Sequence, residues 1–141
     1  MEKYITNSPG QTKELGEILA KEARTGVIIC LQGDLGSGKT TFAQGFLSGL
    51  KVSGPHTSPT FVIMKKYQMP HGRQDVYHVD AYRTKGKDIL DLGWKEIISN
   101  KKNIVIIEWA ERIKKIIPLH SLWIKFKLID KNKRELTIAK N

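Results

Sequence analysis

Apolar and polar positions change period several times along the chain, and the changes predict an alternation of strands and helices. Tyr4-Ile5-Thr6 reads as a short edge strand. Ser8-Pro9-Gly10-Gln11 then has the chemistry of a helix start, since Ser8 can cap, Pro9 fits the first helical position and Gln11 completes a capping box. Leu15, Ile18, Leu19 and Ala23 recur at helical spacing until Gly26, which is expected to stop the helix. Val27-Ile28-Ile29-Cys30-Leu31 is a continuous apolar run of the kind found in a strand buried on both faces, and Thr41 to Leu47 returns to helical spacing.

Ser53-Gly54-Pro55 breaks the pattern, and Thr57-Ser58-Pro59-Thr60-Phe61 follows as a polar loop with a stiff proline at its centre. Two β-type runs, Phe61 to Met69 and Asp75 to Tyr82, joined through Pro70-His71-Gly72-Arg73, predict an antiparallel hairpin. Asp88 to Leu92 and Trp94 to Ser99 predict one or two short helices. Ile104-Val105-Ile106-Ile107 predicts a second buried strand, ending in Glu108. Ala110 to Ile117 reads as a helix stopped by Pro118, with Arg112, Lys114 and Lys115 on a solvated face. Leu119 to Ile129 and Arg134 to Ala139 predict a terminal hairpin across Asp130-Lys131-Asn132-Lys133.

Between the first buried strand and the helix after it lies Gly33-Asp34-Leu35-Gly36-Ser37-Gly38-Lys39-Thr40, which fits the phosphate-binding pattern G-x-x-x-x-G-K-[ST]. Glycines let such a loop curl so that backbone N–H groups point inward, and the helix that follows turns its positive dipole end to the phosphates. Lys39 is expected to project from an exposed loop to the terminal phosphates of a nucleoside triphosphate, and the Thr40 hydroxyl to ligate the Mg²⁺ that bridges them. With strands and helices in this order, the expected architecture is α/β: a three-layer P-loop NTPase-like domain with a mixed, mainly parallel-cored sheet and antiparallel hairpin additions. One domain, residues 1–141, accounts for the whole pattern.

Composition narrows the picture further. A 141-residue chain that is 40% hydrophobic can bury a core without disulfides or structural metals. Its apolar runs are too short to cross a bilayer, and Met1-Glu2-Lys3-Tyr4 lacks the layout of a signal peptide, so a cytoplasmic protein is expected. Cys30, alone in a central strand, reads as a small buried hydrophobe. A net charge of +10 invites nucleic-acid contact. Yet the lysines fall in scattered pairs, Lys65-Lys66, Lys101-Lys102 and Lys114-Lys115, and only five basic residues are arginines. A solvated basic surface and direct RNA contact both stay open, and no single basic groove is expected to run into the site.

In open α/β sheets ligands bind beyond the carboxyl ends of the parallel strands, so acids at strand ends near the loop matter most. Glu108 closes the apolar strand as an acid does when it supports Mg²⁺ or its water. Asp80 ends His78-Val79-Asp80, where His78 and Asp80 share a face. Asp80 is placed to order an attacking water or hold a metal-bound one; the alternative is a turn or ion-pair aspartate near Arg83. His78 reads as a hydrogen-bonding or core residue. The histidines lack ligand spacing, and no zinc site is expected.

These motifs, in order, are Gly33 to Phe42, Ser58-Pro59-Thr60-Phe61, His78-Val79-Asp80-Ala81-Tyr82-Arg83 and Glu108-Trp109. Together they resemble the bacterial TsaE (formerly YjeE) family across essentially the whole chain. The resemblance implies an ATPase needed to form N6-threonylcarbamoyladenosine in tRNAs that read codons beginning with A, working with TsaB, TsaC and TsaD. The threonylcarbamoyl transfer would belong to TsaD, with TsaB as its partner, and tRNA would be met indirectly if at all. The implied cofactors are ATP and Mg²⁺. Gly36, Ser37, Gly38, Lys39, Thr40 and Thr41 would bind the phosphates, Thr40 and Glu108 the metal, and Asp80 and Glu108 would be catalytic. Ser8, Gly10, Thr12 and Arg134 resemble nucleotide-flanking positions, and Ser58-Pro59-Thr60 resembles a switch-like loop. Trp109 resembles a family tryptophan beside the site, although its type alone equally suits a core aromatic at a strand end.

Two rival activities use the same scaffold. A GTPase switch would need Asn-Lys-x-Asp, and the nearest match, Asn132-Lys133-Arg134-Glu135, ends in the wrong acid. A small-molecule kinase would need an arginine-bearing lid, for which the chain has no long insertion.

Overall fold

In the computed structural model, residues 2–23, 25–60 and 62–140 are described. Phe61, the last residue of the Ser-Pro-Thr-Phe motif, lies outside them. The strands are β1 (Glu2–Thr6), β2 (Val27–Gln32), β3 (Met64–Gln68), β4 (Asp75–Asp80), β5 (Ile104–Glu108), β6 (Leu122–Leu128) and β7 (Arg134–Lys140). Among the described residues they form one seven-stranded sheet in the order β1-β7-β6-β2-β5-β4-β3. The central four, β6, β2, β5 and β4, run parallel, while β7, β1 and β3 add on antiparallel. This is the mixed, parallel-cored sheet expected from the pattern.

Alternation along β2 divides the core. Ile29 and Leu31 face α1 (Pro9–Glu22) and α2 (Lys39–Gly49), together with Phe42, Phe46, Ile104 and Ile106. Ile28 and Cys30 face the other way, onto α3 (Gly86–Leu90), α4 (Trp94–Ser99) and a 3-10 helix over Ala110–Ile116. Three layers result. Burial pushes the Cys30 thiol up to about 12, against a smaller opposing effect from a Ser121 hydrogen bond, in keeping with a buried apolar role.

Several boundaries differ from the sequence expectation. Ser8 does cap α1, its Oγ accepting from Gln11 N at 3.1 Å, but Gln11 Oε1 reaches back to Asn7 N rather than to Ser8 N. The helix ends at Glu22, with Ala23 as its cap, and not at Gly26. β3 begins at Met64 because Val62 and Ile63 turn back on Pro59, and β4 stops at Asp80. The helix expected after Glu108 does form, as a 3-10 helix over Ala110–Ile116, while β6 begins at Leu122 rather than Leu119.

On α1 the expected face holds at Leu15, Leu19 and Ala23, which pack into the core, but Ile18 is half exposed, and the most buried helix positions are Thr12, Gly16 and Ala20. Small residues win because α1 and α2 approach to backbone contact: a Cβ on Gly16 would stand 2.3 Å from Phe42 O, and one on Gly45 would stand 2.0 Å from Lys13 O. Since α2 carries the phosphate-loop motif at its start, this contact sets where the loop sits. Gly45→Ala gains about 1 kcal/mol of helix propensity, but forces the helices apart, and overpacking costs about 1–3 kcal/mol. The clash here is with backbone, which cannot swing aside, so the expected net result is a melting temperature lowered by several degrees in calorimetry. An unchanged or raised melting temperature would mean that the helices part without cost.

Candidate functional site

Parallel pairing brings the sequence motifs to one end of the sheet. Leu31 is in register with Glu108, and Glu108 with Asp80, so the glycine-rich loop after β2 stands beside two acids at neighbouring strand ends. Gly38, at φ +105°, makes the left-handed turn into α2 that a side chain would resist. The first turn of α2 then presents the backbone N–H groups of Lys39, Thr40 and Thr41 at its positive end.

Glu108 is 2% exposed and is held from two sides. Thr40 Oγ1 donates to Oε1 at 2.6 Å, and His78 Nε2 lies 2.7 Å from Oε2. His78 Nδ1 is buried without a partner among the described residues, so the tautomer with hydrogen on Nε2 is the one that leaves no donor unsatisfied. The expectation that His78 is a hydrogen-bonding residue beside the site therefore holds, and the atom it holds is now defined.

Lys39 departs from expectation. It is only 4% exposed rather than projecting from an exposed loop. Its ammonium folds back to donate to the carbonyls of Gly33 and, at 2.9 Å, Asp34, and lies 3.8 Å from the centre of the Trp109 ring. Burial lowers its pKa below the ordinary lysine value, while Glu111, Glu108, Asp34 and Asp80 pull the other way. Trp109 is thus a site residue and not merely a core aromatic. It adopts a left-handed conformation (φ +60°), uncommon for a bulky side chain, which sends the chain sharply from β5 into the 3-10 helix.

Asp80 is 5% exposed and fully engaged. Its Oδ2 accepts from Thr60 Oγ1 at 2.8 Å and Ser58 Oγ at 3.1 Å, and its Oδ1 from Tyr82 N at 2.9 Å. The carboxylate is therefore the anchor of the 58–60 loop. The hydroxyls of that loop, and not Arg83, are its partners.

A cavity opens in front of the loop, lined among others by Gly36, Gly38, Lys39, Thr40, Thr41, Glu108, Trp109, Thr12 and Arg134. Arg134 Nη2 donates to Gly36 O at 3.2 Å, which ties the last hairpin to the loop, and Thr12 pairs with Thr6 through their hydroxyls at 2.7 Å. Ser8 and Gly10 do not line this cavity, their place being the α1 start; Pro9 lines it instead. Ser37 is buried and does not line the cavity; its Oγ lies next to Gly33, without a hydrogen-bond partner among the described residues. Sequence reasoning missed Leu35, Asn132 and Pro9 in the lining, and no residue-type signal separates them from ordinary loop residues.

Chemically, a helix N-terminus with a buried lysine offers anion binding, and a hydroxyl beside a carboxylate offers the oxygen donors that a hard divalent cation prefers. The sequence matches, over residues 6–136, the family model described as threonylcarbamoyl adenosine biosynthesis protein TsaE. It is 37% identical over 137 residues to the tRNA threonylcarbamoyladenosine biosynthesis protein TsaE of Bacillus subtilis, covering 97% of this chain and 84% of that one. It is 32% identical over 138 residues to the protein of the same name from Treponema pallidum, covering 97% and 99%. A crystal structure of Bacillus subtilis YdiB superposes with a TM-score of 0.77 at 33% identity, covering 99% of this chain and 86% of that one.

Proposed function

The chain belongs to the TsaE family and so to tRNA threonylcarbamoyladenosine biosynthesis, and from that premise we propose that it binds Mg²⁺–ATP and hydrolyses it in support of the TsaB–TsaD pair. The observation that carries this reading is the contact of Thr40 with Glu108 at the start of α2, 2.6 Å long, directly beside Lys39.

In this reading the N–H groups of Gly38, Lys39, Thr40 and Thr41 receive the phosphates, and Lys39 exchanges its two loop carbonyls for phosphate oxygens. Thr40 and Glu108 hold Mg²⁺, which when bound neutralises charge on the phosphates. His78 keeps Oε2 of Glu108 engaged, so that Oε1 stays turned to Thr40. Asp80 acts through the 58–60 loop: it does not itself line the cavity, and its carboxylate accepts from the Ser58 and Thr60 hydroxyls and so fixes the loop in place. Threonylcarbamoyl transfer is left to TsaD, and ATP is spent on enabling or resetting the complex.

ATP turnover by the purified chain, alone and with TsaB and TsaD, tests the proposal. Slow Mg²⁺-dependent hydrolysis that rises when both partners are added is expected. No ATP binding or turnover under any combination would overturn it, and a preference for GTP would favour the switch reading.

A further inference from the structure

The fold gathers cations that lie apart in sequence. α3 and the 3-10 helix leave a surface groove between them with Leu90, Ile113 and Ile116 in its apolar lining, and the exposed cations Lys87 from one element and Arg112, Lys114 and Lys115 from the other stand along it. Among the described residues none of these four is ion-paired with an acid. Asp88, the acid of α3, is committed to its own helix start, where Oδ2 accepts from Lys85 N at 3.0 Å and Thr84 Oγ1 at 3.1 Å. Glu111 is the groove's one acid among the described residues; its Oε1 is buried, and its charge acts on Lys39.

Two of the cations also meet aromatic rings: Lys114 Nζ lies 5.7 Å from the Trp123 ring centre, and Arg112 is held more firmly. Arg112 Nη1 donates to Tyr82 O at 3.0 Å, with the guanidinium 5.0 Å from the Tyr82 ring centre and 5.2 Å from that of Trp109. Arg83 lies 5.9 Å from the other ring of this group, Tyr82. A guanidinium fixed by stacking loses little freedom when it meets an anion. Trp109 lines the loop cavity as well, so the cationic groove adjoins the phosphate loop instead of lying remote from it. Arginines interleaved with aromatics, which the linear sequence lacks, are assembled here by contacts across some thirty residues of chain.

We propose that this groove, Lys87, Arg112, Lys114 and Lys115, binds the sugar-phosphate backbone of tRNA. Helices flank it, so it offers no free sheet edge to an extended acidic peptide, while unpaired cations along a groove suit a polyanion of regular charge spacing. The family's process acts on tRNA, which supplies that polyanion. The aromatic faces are already occupied by guanidinium groups, so the contact should be to phosphates and not to bases.

The test measures binding of an unmodified tRNA transcript to the whole chain across a salt series. Lys114→Glu/Lys115→Glu is compared with Lys101→Glu/Lys102→Glu, an equal charge change at the opposite end of β5. The first is expected to weaken binding about tenfold or more and to lower the slope of log affinity against log salt by about 1–2, as loss of two phosphate contacts requires. The second should change neither, and basal ATP turnover should be the same in both. Lys114→Gln/Lys115→Gln, which introduces no new charge, should fall in between and guards against misfolding. Equal losses in both Glu pairs, or tRNA binding like the unsubstituted chain in the first, would overturn the proposal. So would intact tRNA binding with lost response to TsaB and TsaD, which would make the groove a protein contact. None of these outcomes depends on whether the loop hydrolyses ATP.

Discussion

Glu108→Gln is expected to cut ATP turnover about 100-fold or more, the scale of losing a group that acts in the reaction, while ADP binding and the melting temperature change little. Glutamine keeps the shape of the side chain and can still meet Thr40 and His78, the two groups that now grip the carboxylate at 2.6 and 2.7 Å. What disappears is the negative charge that a divalent cation needs. His78→Ala is the counterpart, because it removes a grip and keeps the charge. It leaves Oε2 of a carboxylate that is 2% exposed without its partner, and an unsatisfied buried polar group costs about 1–3 kcal/mol. The alanine variant should therefore melt several degrees lower and, by letting the carboxylate rotate, bind Mg²⁺–ADP more weakly. A Mg²⁺ titration followed calorimetrically separates the two. Full turnover in Glu108→Gln would remove Glu108 from the metal site, and an unaltered Mg²⁺ titration in His78→Ala would show that Thr40 alone orients the carboxylate.

The parts of this site that were legible in the sequence are those whose chemistry demands a residue type at a fixed spacing. Gly33 to Thr40 declares itself because an inward-curled loop needs glycines and a phosphate needs a cation and a helix start. Glu108 declares itself because a charge closing Ile104 to Ile107 has no reason to be there without a partner. The sheet was legible because continuous apolar runs imply burial on both faces, and β2 and β5 are buried in this way. What could not be read depends on contacts between distant segments. The apolar period of α1 marked Leu15, Leu19 and Ala23, but not the backbone contact through Thr12, Gly16 and Ala20, which depends on α2 offering Gly45 and Gly49 opposite. Tyr82, Trp109 and Arg112 form one stacked group only because β4 and β5 are parallel neighbours. Ser8 and Gly10 are flanking positions by family resemblance alone; Ser8 caps α1, and of this stretch it is Pro9, between them, that lines the cavity.

Lys39→Ala is expected to weaken ATP binding about 100-fold or more, since hydrogen bonds to charged groups contribute about 1.5–3 kcal/mol each and a tenfold change is about 1.4 kcal/mol. The free chain shows what must be given up first. The ammonium is satisfied by Gly33 and Asp34 carbonyls and by the Trp109 face, and burial already weakens its hold on the proton. Because the folded pKa lies below the unfolded value, the unfolded chain binds more protons between the two. Stability therefore rises with pH through that alkaline window, and below the folded pKa the full cost of burying the charge is present. Triphosphate oxygens favour the charged form, so binding should draw Lys39 back toward its ordinary pKa and take up a proton at alkaline pH. Calorimetric titration of ATP in two buffers of different ionisation enthalpy reads this directly: proton uptake should appear as pH rises toward the lysine range and be absent in Lys39→Ala. If the uptake persists in the alanine variant, it comes from another group. If ATP affinity itself is unchanged, Lys39 is a structural lysine that closes the loop, and the phosphate site must be sought elsewhere along the cavity.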